Sequence, residues 1–122
     1  MSRKILLIDD EDDIREVATM TLETMAGFEV ITAPNGIAGI AKAESERPDA
    51  ILLDVMMPGI DGMTTFQRLQ ESETTRSIPV IFMTAKVQAA DRKRLADLGA
   101  RGVIAKPFDP MTLSDEVLAL LK

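Results

Sequence analysis

Residues 50–54 read Ala50-Ile51-Leu52-Leu53-Asp54, four apolar side chains in a row closed by a carboxylate. A short apolar run with no polar alternation is the pattern of a strand covered on both faces, as in a parallel sheet between layers of helices. Asp has poor β-propensity, so an acid closing such a strand at mid-chain asks for a reason beyond folding. Working outward, similar runs recur at residues 5–8, 28–32, 79–83 and 102–105. Between the first two, Ile14, Val17, Ala18, Thr21, Leu22 and Met25 fall at helical spacing, with Asp12 as the expected N-cap and Gly27 as the stop. After the last run, Asp109 and Pro110 form a cap and first-turn proline, followed by the stripe Leu113, Val117, Leu120 and Leu121. Residues 36–46, 63–72 and 88–98 carry weaker stripes and are assigned as helices because strands flank them. Strand and helix alternating five times predict an α/β fold with a five-stranded parallel sheet and right-handed crossovers.

The chain has 122 residues, 46% of them hydrophobic, enough for one buried core. No linker or repeat interrupts it, so residues 1–122 are expected to form one domain with no separate output domain, acting through its own surface. Twenty acidic residues against 14 basic ones give a net charge of −6. That balance disfavours direct contact with nucleic acid or anionic membranes. With no Cys and no His, disulfides, thiolates, imidazole metal sites and imidazole-based triads are excluded. The apolar run at residues 5–8 is too short for a signal-peptide core or a membrane span, which makes the cytoplasm the expected location. The eight Met residues read as flexible core filler, with Met56 and Met57 bordering any pocket near Asp54. Arg92, Lys93 and Arg94, with Arg101, read as a solvated basic face.

Ligands of open parallel sheets gather at the C-terminal ends of the strands. There the first strand ends in Asp9 and Asp10, the third in Asp54, the fourth in Thr84 and the fifth in Lys106. Singly, each has an ordinary explanation as a helix cap, a turn former or a solvated lysine. Jointly they do not. Carboxylates about 4 Å apart repel by roughly 4 kcal/mol per pair at an effective dielectric near 20. Lys106 offsets part of this, and an all-oxygen site points to Mg²⁺ or Mn²⁺ for the remainder. A cation, an ammonium and a hydroxyl around an aspartate are the groups that stabilise a phosphoryl group in transit, with Asp54 as nucleophile.

Asp9-Asp10, Asp54, Thr84-Ala85 and Lys106-Pro107-Phe108, with Met56, Pro58, Gly59, Asp61 and Gly62 after Asp54, resemble the receiver domain of two-component response regulators. The resemblance spans the chain and is nearest in kind to stand-alone, chemotaxis-type regulators. It implies a flavodoxin-like (βα)5 sandwich of strand order 2-1-3-4-5. It also implies that Asp54 accepts phosphate, and that Asp10, Asp54 and the Met56 carbonyl bind Mg²⁺ directly, with Asp9 acting mostly through water. Thr84 and Lys106 correspond to the phosphate-sensing pair. The implied donor is a histidine kinase or phosphotransfer protein, the receiver assists its own phosphorylation and hydrolysis, and an unnamed downstream protein reads the result. A cis Lys106-Pro107 bond is expected on the same ground. Many receivers carry Tyr or Phe where this sequence has Val103, so the switch at Val103, Ala85 and Lys86 is expected to work by packing changes after the fourth strand. Met56 and Lys86 stand where the family tunes phosphate lifetime.

Three rivals remain. A phosphatase of the haloacid dehalogenase type shares the metal, lysine and threonine, but needs a second Asp where this chain has Met56. A flavin carrier needs hydroxyl or glycine donors in the first loop, which here is acidic. A docking domain that takes no phosphate would not need the full set of side chains.

Overall fold

The computed structural model describes residues 3–85 and 89–121, excluding the side chains of 89–92. Lys86 and the Arg92 side chain therefore lie outside the described residues. The elements run β1 (Lys4–Ile8), α1 (Asp12–Ala26), β2 (Glu29–Ala33), α2 (Gly36–Glu46), β3 (Ala50–Asp54), α3 (Gly62–Glu71), β4 (Val80–Thr84), α4 (Ala89–Asp97), β5 (Gly102–Ala105) and α5 (Leu113–Leu121). All strand pairs are parallel and the order is β2-β1-β3-β4-β5. This is the expected flavodoxin-like α/β sandwich.

Alternation along each strand builds two cores from one sheet. Ile5 and Leu7 of β1 join Ala18 and Leu22 of α1 and Leu113 and Val117 of α5 on one face. Leu6 and Ile8 join Ala43 of α2, Phe66 and Leu69 of α3 and Leu95 of α4 on the other. The inner strands β3 and β4 are buried throughout. The edge strands β2 and β5 are covered less evenly, because each lacks a neighbour on one side.

Several local expectations shift. The N-cap of α1 is Glu11 rather than Asp12, and its side chain makes no capping bond. Asp12 instead lies in the first turn and pairs with Arg15. Gly27 does end α1, at φ 68°, and donates its N–H to the Glu23 carbonyl while the Phe28 N–H donates to that of Leu22. On the expected α1 stripe Ala18, Thr21 and Leu22 are buried, but Val17 and Met25 are exposed. Regular α5 geometry begins at Leu113, after a turn in which Asp109 Oδ1 accepts the Met111 N–H at 2.9 Å. Asp109 thus caps a preliminary turn rather than the regular helix. The methionines are not all filler: Met57 and Met83 are buried, whereas Met20, Met25, Met56 and Met111 are exposed.

Candidate functional site

The parallel pairing of β1 with β3 sets Ile8 beside Leu53, so the residues that follow each strand's last apolar position emerge together. Asp9, Asp10 and Asp54 offer carboxylate oxygens that all lie within 4.8 Å of one another. Asp9 and Asp54 are buried, at 0% and 3% exposure, while Asp10 reaches solvent. A divalent cation with oxygen preference fits such a donor set, with Asp10 on the open side.

Lys106 follows β5 and crosses the sheet edge to these acids. Its Nζ lies 2.9 Å from Asp9 Oδ2 and 3.4 Å from Asp54 Oδ2. Burial lowers the proton affinity of this ammonium, but the Asp9 hydrogen bond and the charges of Asp9, Asp54 and Glu11 outweigh it and raise the pKa above 10.5. Lys106 therefore stays charged. Burial pushes the Asp54 carboxyl up to about 6; the Asp9 charge adds to this, and Lys106 and the Met56 N–H act against it.

Backbone geometry holds the acids in place. Asp9 Oδ1 accepts the Glu11 N–H at 2.8 Å, and Arg15 Nη1 donates to the Asp9 carbonyl at 2.6 Å. The Met56 N–H donates to Asp54 Oδ1 at 3.3 Å. Asp61 caps α3 by accepting the Thr64 N–H at 2.8 Å. Gly62, the first residue of α3, has no room for a side chain: a Cβ there would meet the Asp54 carbonyl and lie 2.7 Å from Val55 Cα. Thr84, 6% exposed, ends β4, and its carbonyl accepts the Lys106 N–H at 2.9 Å. The Lys106-Pro107 bond is cis.

A cavity of about 300 Å³ opens over these groups, lined by Glu11, Ile14, Asp54, Met56, Ala85, Lys106 and Pro107. Asp9, Asp10, Asp54 and Lys106 thus come together, with Thr84 and Ala85 on the adjoining strand end. Met56 borders the cavity, and Met57 packs in the core instead. Val103 packs against the core on the α2, α3 and α4 face. Sequence reading missed Arg15, whose clue was the Asp12-x-x-Arg15 spacing of a helical ion pair, and the steric role of Gly62.

Residues 5–118 match the family described as the response regulator receiver domain. The chain belongs to that family. Across the curated relatives, this receiver is 43% identical over 119 residues to RpaA of Synechocystis, described as a DNA-binding dual master transcriptional regulator. That match covers 98% of this chain and 49% of RpaA, and the receiver spans about half the length of the curated relatives it matches first. Among solved structures, the Vibrio cholerae chemotaxis response regulator CheY4 superposes with a TM-score of 0.91 at 31% identity, covering 98% of this chain and 99% of that one. The receiver domain of the sensor histidine kinase PA1611 of Pseudomonas aeruginosa, described with a magnesium ion coordinated in its active site cleft, gives 0.86 at 29% identity over 99% and 98% of the two chains. Receiver domains are signalling phosphoacceptors, phosphorylated by histidine kinases or phosphotransfer proteins, and generally bind Mg²⁺ at an acidic pocket. Among the described residues, no helix is long and apolar enough to cross a membrane.

Proposed function

We propose that this receiver takes a phosphoryl group on Asp54 from a histidine kinase or phosphotransfer protein, and that the modification changes its surface for a protein target. The observation carrying this reading is the convergence of Asp9, Asp10 and Asp54 within 4.8 Å under a lysine that contacts two of them. Asp10, Asp54 and the Met56 carbonyl would hold Mg²⁺, with Asp9 aiding through water. When bound, the cation neutralises carboxylate and phosphoryl oxygens, which lowers the barrier to in-line transfer. The magnesium in the cleft of the PA1611 receiver favours the same assignment.

In the transfer, an Asp54 oxygen forms the bond to phosphorus as the bond to the donor nitrogen breaks. Lys106 is already charged and within reach of Asp54, and stabilises the added negative charge. The Thr84 hydroxyl takes a phosphoryl oxygen, drawing the end of β4 and Ala85 inward. Val103 supplies no aromatic ring to swing, so the change reaches α4 and β5 through packing. Its net charge of −6 disfavours contact between this domain and a phosphate backbone, which leaves a protein as the target.

The test is incubation with Mg²⁺ and acetyl phosphate, read by intact mass. Wild type should gain one phosphoryl group, while Asp54→Ala and chelated samples gain none. An adduct on Asp54→Ala sinks the assignment, and steady turnover of small phosphate esters would favour the phosphatase instead.

A further inference from the structure

The chain contains no Cys, His, Trp or Tyr, so mild two-electron oxidation falls on methionine. Of its methionines, Met57 and Met83 are buried at 8% and 0% exposure, whereas Met56 is 73% exposed, beside Met111 at 70% and Met20 at 63%. Position sets Met56 apart. It edges both the acidic cavity over Asp54 and an adjoining, mainly apolar cavity of about 400 Å³ walled by Val55, Met63, Thr84, Arg94 and Leu95. Its amide meanwhile donates to Asp54 itself.

We propose that Met56 is a redox-modification site, at which a peroxide converts the thioether to the sulfoxide and thereby shortens the life of the phosphoryl group on Asp54. This rests on the phosphoacceptor reading above. In the step, the peroxide O–O bond breaks and one oxygen bonds to sulfur. The other leaves as water with the peroxide's two protons; sulfur loses two electrons and peroxide gains them. A thioether is a weak acceptor and sits comfortably at an apolar edge. A sulfoxide is polar, and on a side chain this exposed its oxygen stays hydrated. On the rim of the acidic cavity that oxygen holds water at the mouth of the pocket. Hydrolysis needs a water to attack phosphorus, so more water at the mouth speeds return of the free carboxylate. Methionine sulfoxide reductases would reset the site.

The test treats the protein with hydrogen peroxide, locates sulfoxides by peptide mass mapping, then loads phosphate with acetyl phosphate and Mg²⁺ and follows its loss by intact mass. Met56 should oxidise alongside Met20 and Met111 and ahead of Met57 and Met83. Phosphate loss should quicken by about threefold or more in oxidised wild type. Met56→Leu, carrying its other sulfoxides, should lose phosphate at one rate before and after peroxide, and unoxidised Met56→Gln should lose it faster than Met56→Leu. Unchanged loss in oxidised wild type, or an equal peroxide response in Met56→Leu, overturns the proposal. Unoxidised wild type that takes no phosphate overturns the phosphoacceptor reading and this inference together, so the two failures are distinct.

Discussion

Asp54 carries opposing demands in one side chain. Its carboxyl, held near 6 by burial and by Asp9, binds a proton more tightly in the folded chain than at its ordinary value of 3.8. Ionisation is therefore a folding cost, full above about pH 6, shrinking as pH falls and absent below about pH 4. Two pKa steps correspond to about 3 kcal/mol. Asp54→Asn should accordingly be more stable than wild type in chelator near pH 7.5, by about 1–3 kcal/mol, with the gap closing near pH 4.5. Urea unfolding at both values checks this, and a gap that ignores pH would refute it. Lys106 acts in the opposite direction. Lys106→Met leaves two buried carboxylates facing each other and should cost about 3 kcal/mol in chelator, partly recovered with Mg²⁺ in the same unfolding assay. These residues were legible because acids, a hydroxyl and a lysine each ended a strand. Arg15 was not, since its spacing from Asp12 marks only a helical ion pair, and its bond to the Asp9 carbonyl depends on how the loop turns.

Elements were readable where burial is two-sided and less so at their ends. The inner strands β3 and β4 are continuous apolar runs, and their reading needed no neighbour. The α1 stripe was only half right, because Val17 and Met25 fall on the flanks rather than over the sheet, a distinction that spacing alone does not carry. Methionine misled most: its long side chain serves a core or a surface equally, and Met20, Met25, Met56 and Met111 face solvent. The tie between α3 and the site was invisible, since a glycine's role appears only when its neighbours are known. Gly62 lets the helix start against the backbone of Asp54 and Val55. Gly62→Ala should push the two apart, costing about 3 kcal/mol and weakening Mg²⁺ binding. Calorimetric titration of magnesium into Gly62→Ala and wild type checks it; equal affinities would show that α3 does not position Asp54.

At the scale of the molecule, topology does the assembling: strands distant in sequence become neighbours, and their ends share one edge. A cation held there binds only the folded chain, so Mg²⁺ at a hundred times its Kd should add about 2.7 kcal/mol of stability. Asp10→Asn, at a solvent-facing position, should leave the chelated protein within about 0.5 kcal/mol of wild type yet blunt the magnesium-induced rise in Tm. Thermal unfolding with and without the ion decides, and an undiminished rise would remove Asp10 from the site. The span between Asp9 and its lysine, 97 residues along the chain, has a consequence for biosynthesis. A ribosome that has translated as far as Asp54 has already made every acid of the cluster, but their counter-charge arrives only once β4, α4 and β5 have been synthesised. Until then β1 and β3 can pair only by bringing the acids together without Lys106 between them, so a product cut short before Lys106 should hold the cluster poorly.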